Sequence, residues 1–246
     1  NRLLPDGANR FATTDGRVSV AASTGASGAL FTLEENGYFL SMTPYDGGAV
    51  TAVPGLCGEL LDSAAAIVNH AERNVNETDG LEELMRVDNT TRVTYASLYT
   101  ATDLEYVLTG DTIKENIIVN EPAASYTYVF LVRLSGLYPV LTENGEIHLY
   151  DEGTDEEQYV MPAPFMYDAN GVYSDEVQYR LMATEDEGEY LIAVDADENW
   201  FAARGRAFPV VIDPTVQANV SADTYISSIT PTTNYSSSSS LSIGST

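Results

Sequence analysis

Cysteine, lysine and histidine are almost missing from this 246-residue chain, which has one Cys, two His and, at Lys114, its only lysine. With Cys57 as the sole thiol, no intramolecular disulfide can form, so the fold is not a disulfide scaffold. Cys57 follows the apolar Val53-Pro54-Gly55-Leu56 and reads as a buried, inert small hydrophobe. A Ser or Cys nucleophile needs an adjacent base. Only His70 and His148 are available, neither is near an obvious partner, and no G-x-S-x-G elbow occurs. The same scarcity argues against zinc, because two distant histidines and one Cys provide no closely spaced ligand set. No apolar run approaches the roughly 18 residues that a membrane-spanning helix requires. No signal-peptide core opens the chain, and a start at Asn1-Arg2 is what a mature protein or an excised fragment would show. Gly25-Ala26-Ser27-Gly28 lacks the following Lys and the strand–helix setting of a phosphate loop.

Positive charge is scarce and negative charge is not. Asp and Glu number 37 against 11 Lys and Arg, for a net charge of −26. Sequence-independent binding of nucleic acid requires cations that replace phosphate counterions, so the composition predicts no nucleic-acid partner. The same charge opposes docking on anionic membranes. It suits a solvated surface in a salty or cation-rich exterior. Hydrophobic residues at 44% and aromatics at 10% are ample for a folded core, without metal or disulfide staples.

Most of the chain alternates apolar and polar residues in short runs bounded by turn formers. Residues 29–33 and 38–42 flank Asn36-Gly37, and residues 138–142 and 146–150 flank Asn144-Gly145; both dipeptides supply the positive φ of tight hairpins. In the second hairpin Ile147 and Leu149 face one way, His148 and Tyr150 the other. Further strand-like runs lie at 92–95, 104–108, 112–119 and 126–132. Residues 177–181 and 190–194 flank the acidic tip 185–188. Turns recur about every dozen residues, which predicts a mainly β protein with antiparallel, β-sandwich-like domains. One short helical insert is expected at about 58–86. There Leu60, Leu61, Ala64, Ile67, Val68 and Ala71 recur at helical spacing, and Asp79 with Glu82 resembles a capping box. Asp197-Glu198-Asn199-Trp200 is expected to form one more helical turn. The expected organisation is a β region with the insert at 1–90, a β-sandwich-like domain at 91–214, and a Ser/Thr-rich tail at 215–246 whose one charged residue is Asp223.

Candidate chemistry is sparse. Glu82-Glu83, Glu156-Glu157 and the acids of 185–189 could pair for glycoside cleavage, but they sit where solvated charge is the default. Asp195, Asp197 and Asn199 begin like an EF-hand, yet position six is Trp200 and position twelve is Arg206, so that reading fails. Residues 151–157 form a better generic cation loop, and weak calcium binding at this acidic tip is the only cofactor expectation. Lys114 reads as a solvent-facing strand amine paired with Glu105, Asp111 or Glu115, the alternative being an isopeptide link to an Asn of another strand. No catalytic, cofactor-binding or metal-binding residue is assigned.

Several phrases resemble a known group. Asp103-Leu104-Glu105-Tyr106-Val107-Leu108, Gly110, Ile113-Lys114-Glu115-Asn116-Ile117, Asn144-Gly145-Glu146-Ile147, Met161-Pro162-Ala163-Pro164-Phe165-Met166-Tyr167-Asp168 and Phe208-Pro209-Val210-Val211-Ile212-Asp213-Pro214-Thr215 resemble, in order and spacing, bacterial wall-associated RHS (YD-repeat) secreted proteins over about 90–215. Phe11-Ala12-Thr13-Thr14-Asp15-Gly16 resembles their N-terminal part. Asp223-Thr224-Tyr225-Ile226, Pro231-Thr232-Thr233-Asn234-Tyr235 and Ser239-Ser240-Leu241-Ser242-Ile243-Gly244 resemble the start of a DNRLRE-type module. The resemblance implies a pre-repeat piece of a large secreted or wall-attached protein, with YD-repeat and DNRLRE-type modules of the same chain as its partners. It carries over no catalytic motif. The expected function is therefore non-enzymatic, a structural or adhesive segment facing a glycan or cell-surface ligand. The alternatives are a carbohydrate-binding module and a glycoside hydrolase using paired carboxylates.

Overall fold

Alternating β-branched and aromatic residues favour the pleated, half-buried surface of a sheet, and in the computed structural model of the chain these runs form strands. The structure describes residues 3–7, 10–13, 19–23, 29–45, 66–70, 91–109, 112–214 and 216–218. In chain order the strands are β1 (Leu3–Pro5), β2 (Arg10–Thr13), β3 (Ser19–Ser23), β4 (Phe31–Glu35), β5 (Tyr38–Pro44), β6 (Ala66–His70), β7 (Thr91–Tyr99), β8 (Thr102–Thr109), β9 (Thr112–Val119) and β10 (Thr127–Ser135). They continue as β11 (Leu137–Leu141), β12 (Ile147–Asp151), β13 (Glu157–Met161), β14 (Phe165–Tyr167), β15 (Tyr173–Ser174), β16 (Val177–Ala183), β17 (Glu189–Ala196), β18 (Val210–Asp213) and β19 (Val216–Ala218). One helical turn, α1 (Glu198–Phe201), follows β17.

Among the described residues the strands form two antiparallel sheets. The first runs β1-β2-β3-β4-β5-β10-β17-β16 and the second β11-β12-β13-β19-β9-β18-β14-β15, with β8, β7 and β6 added in turn on the other edge of β9. Their inner faces share one core, in which Phe31 of the first sheet stacks on Tyr106 of the second at 5.4 Å between ring centroids. Tyr95, fully buried on β7, donates its hydroxyl to the carbonyls of Ser23 and Leu30, at 2.7 and 2.9 Å. A buried phenol kept satisfied in this way ties the sheets together without the loss an orphaned hydroxyl would bring. The expected mainly β, sandwich-like class is therefore what the chain adopts.

Local turn chemistry agrees with the sequence. Asn36 and Gly37 take φ of 53° and 89° between β4 and β5, and Gly145 takes 82° between β11 and β12. The expected helical turn forms at α1, where the Asp197 carboxylate caps the Trp200 amide at 2.8 Å. The helical insert needs correction, because Ala66–His70 is a strand paired with β7 (Ala66 opposite Tyr95, His70 opposite Thr91). Neighbouring-strand hydrogen bonds override the helical spacing of Ile67 and Val68 there. The rest of that insert, and the capping box at Asp79, lie outside the described residues. The boundary expected near residue 90 falls between β6 and β7, which pair with each other, and β5 pairs with β10 across it.

Candidate functional site

β9 is the strand on which the second sheet divides. One edge pairs with β8 along its length. The other pairs with β18 at Ile117–Val119 and with β19 at Thr112–Ile113, so the ladder is interrupted opposite Lys114, Glu115 and Asn116. The interruption coincides with Pro214, which has no N–H to donate. Charged groups gather at this break.

The Lys114 ammonium pairs with the Asp213 carboxylate, whose side chain is only 2% exposed against 37% for the lysine. The Phe165 ring centroid lies 5.9 Å from Nζ. Glu115, next along the strand, points to the opposite face and is 1% exposed. Burial strips water from its carboxyl and raises its pKa to about 8; Tyr106 favours the ion and offsets part of this, while the Asp213 charge adds to the rise. Neither Glu115 oxygen reaches a partner at good hydrogen-bond geometry, nor do the Tyr106 and Tyr179 hydroxyls. Burial, the Glu115 charge and, for Tyr179, the Asp213 charge also hold these two phenols protonated. The seam thus places an amine on a buried carboxylate, beside an acid that keeps its proton at neutral pH.

This corrects the expected partners of Lys114. Glu105 instead accepts from Arg92 at 2.9 Å and from the Asn116 amide at 3.0 Å, and Glu115 faces the core. Asp111 lies outside the described residues. Asp213 was missed as a partner; its one sequence signal is an acid placed before proline at the end of an apolar strand.

Two other polar groupings frame the sheets. His148 lies between Glu157, on its Nδ1, and Glu146, 3.3 Å from its Nε2. Burial works against the imidazolium, but the two carboxylates outweigh it and raise the histidine pKa. In the neighbouring acidic tip, Asp151 accepts the Tyr38 hydroxyl at 2.7 Å and the amides of Gly153 and Thr154 at 2.8 and 2.7 Å. The carboxylate that heads the expected cation loop therefore already accepts three hydrogen bonds. Among the described residues, no group of three or more His, Cys, Asp or Glu is arranged to hold a metal ion.

At the far end, Arg206 lies over the Trp200 ring, 3.2 Å from its centroid, and donates to the Trp200 carbonyl at 3.0 and 2.9 Å and to Asp168 at 3.1 Å. Burial alone would raise the Asp168 pKa, yet the amides of Val172, Ala207 and Asn170 and the Arg206 guanidinium bring it below its ordinary value. Tyr126 stacks on Phe201 at 3.6 Å and, with Phe208, Glu198 and Arg206, lines a cavity of about 510 Å³.

No family model matches the chain. Over 154 residues, 60% of its length, it is 36% identical to the tRNA3(Ser)-specific nuclease WapA of Bacillus spizizenii. Over the same span it is 35% identical to the tRNA nuclease WapA of Bacillus subtilis strain 168 and to the tRNA(Glu)-specific nuclease WapA of Bacillus subtilis subsp. natto. The chain spans only 6% of each relative. These likenesses overturn the expectations of a non-enzymatic adhesive segment, of a glycan-binding module or glycosidase, and of a protein without a nucleic-acid partner, since all three relatives are named as nucleases of tRNA. The charge argument misled because the net charge of so small a share of a protein does not constrain what the whole protein acts on. The family resemblance is corrected likewise. It did not anticipate relatives named as tRNA nucleases, and nothing supports a DNRLRE-type module, whose quoted phrases lie outside the described residues. The expected secreted or cell-wall location holds. Among the described residues no helix is long and apolar enough to cross a membrane.

Proposed function

We propose that this chain is a folded β body carried within a larger secreted, wall-associated RHS-type toxin that cleaves tRNA. The observation that carries the reading is the 36% identity over 154 residues with a tRNA-specific nuclease, supported by two further relatives named for the same substrate class. The two-sheet core fits this role, since a body tied by buried Tyr95 and by aromatic stacking keeps its shape outside the cell.

The test is to purify the longest natural protein that contains this chain and incubate it with total tRNA, resolving the products on a denaturing gel. Discrete tRNA fragments are expected. Intact tRNA, with the protein shown to be folded by circular dichroism, would overturn the reading.

A further inference from the structure

We propose that Lys114 and Asp213 become joined by an isopeptide bond, a covalent clasp between β9 and the end of β18. The geometry points to it in three ways. The only lysine of the chain has its amine on one particular carboxylate, and that carboxylate is almost wholly withdrawn from water at 2% side-chain exposure. The pair stands at the break in the β9 ladder, beside the apolar face of Phe165. Glu115, next to Lys114 in sequence, is buried on the opposite face of β9, so it does not compete with Asp213 for the amine.

The chemistry needs no co-reactant. The Asp213 carboxylate is withdrawn from water, where a charge is costly to hold, and passing the proton to it from the partly exposed Lys114 ammonium gives a neutral amine and a neutral carboxylic acid. The Nζ lone pair then adds to Cγ of Asp213. The tetrahedral adduct expels its hydroxyl with a proton as one water, leaving an amide between Nζ and Cγ. Two groups held in contact by surrounding strands react with effective molarities on the order of 10⁵ M or more, which makes an otherwise slow condensation accessible. Nothing is oxidised or reduced. The product closes a covalent loop around β10 through β17, in a protein exposed to the conditions outside a cell.

Having one lysine makes the test direct. The purified 246-residue chain is expected to weigh one water less than its sequence. Exhaustive acetylation of the unfolded chain should then modify the N-terminal amine alone, and proteolysis should release a branched peptide containing residues 114 and 213. Lys114→Arg keeps the charge pair and the fold but cannot form this amide, so it should carry its full sequence mass. A wild-type chain at full mass, with a second acetyl group on Lys114, would overturn the proposal. A missing water accompanied by a reactive Lys114 would overturn it equally, because the loss would then lie at another residue.

Discussion

The carbonyl oxygen of Leu134 lies 2.6 Å from where a Cβ would stand on Gly188, whose φ is +74°. The Leu134 amide in turn donates to the Gly188 carbonyl at 2.8 Å, so the acidic tip between β16 and β17 meets β10 backbone to backbone at this point. A side chain at 188 would meet another backbone, which cannot swing away.

Gly188→Ala is therefore expected to destabilise the fold by about 2–4 kcal/mol, combining left-handed strain with the clash. Gly145→Ala has similar strain at φ +82° but meets only the Ala163 methyl at 3.8 Å, an ordinary contact. It should lose about 1 kcal/mol. Urea unfolding of both variants, read as midpoints with unchanged slopes, checks the difference.

Glu115 should make the protein less stable as pH rises. Its folded pKa is about 8 against an ordinary 4.5, so between those values the folded state binds the extra proton and stability falls with pH. Below about pH 4.5 both states are protonated, and above 8 both are ionised, so the penalty is absent at one end and constant at the other. Glu115→Gln removes it. The melting midpoint of the variant should match the wild type near pH 4.5 and exceed it increasingly up to pH 8, by a margin on the order of several degrees. A gap that does not change with pH would contradict the assignment.

Arg206→Lys should loosen the far end of the sandwich while leaving the sheets folded. Lysine keeps a positive charge facing Asp168 but lacks the planar fork that covers the Trp200 ring and reaches its carbonyl. Trp200 is the only tryptophan of the chain, so its fluorescence reports this site alone. A red-shifted emission and a midpoint lowered by a few degrees are expected, with Arg206→Ala lowering it further.

Truncation should separate two stretches of the C-terminal region. Val216–Ala218 is a strand inserted between β13 and β9, with Tyr159 opposite Ala218 and Ile113 opposite Val216. A chain ending at Pro214 loses that bridge and should melt well below one ending at Ala218, as scanning calorimetry of the two would show. Equal midpoints would mean that β19 adds nothing to the second sheet.

The sequence by itself determined what is local. The Asn36-Gly37 and Asn144-Gly145 hairpins, the capped turn at Asp197 and the alternation along β9, β10 and β12 could all be read, because turn backbone angles and a two-residue period depend on neighbours in the chain. What it could not determine is which strands lie side by side. Ala66–His70 carries helical spacing yet forms a strand, because the hydrogen bonds of β7 are available only once the chain has folded. The same applies to the site. Lys114 and Glu115 were visible as a charged pair within a strand, but their opposite fates follow from the placement of β18 and β19 on β9, which sets Asp213 against one and packs the core around the other. Side-chain pairing across distant segments is decided by sheet order, and sheet order belongs to the tertiary structure because it is set by the packing of all the strands at once.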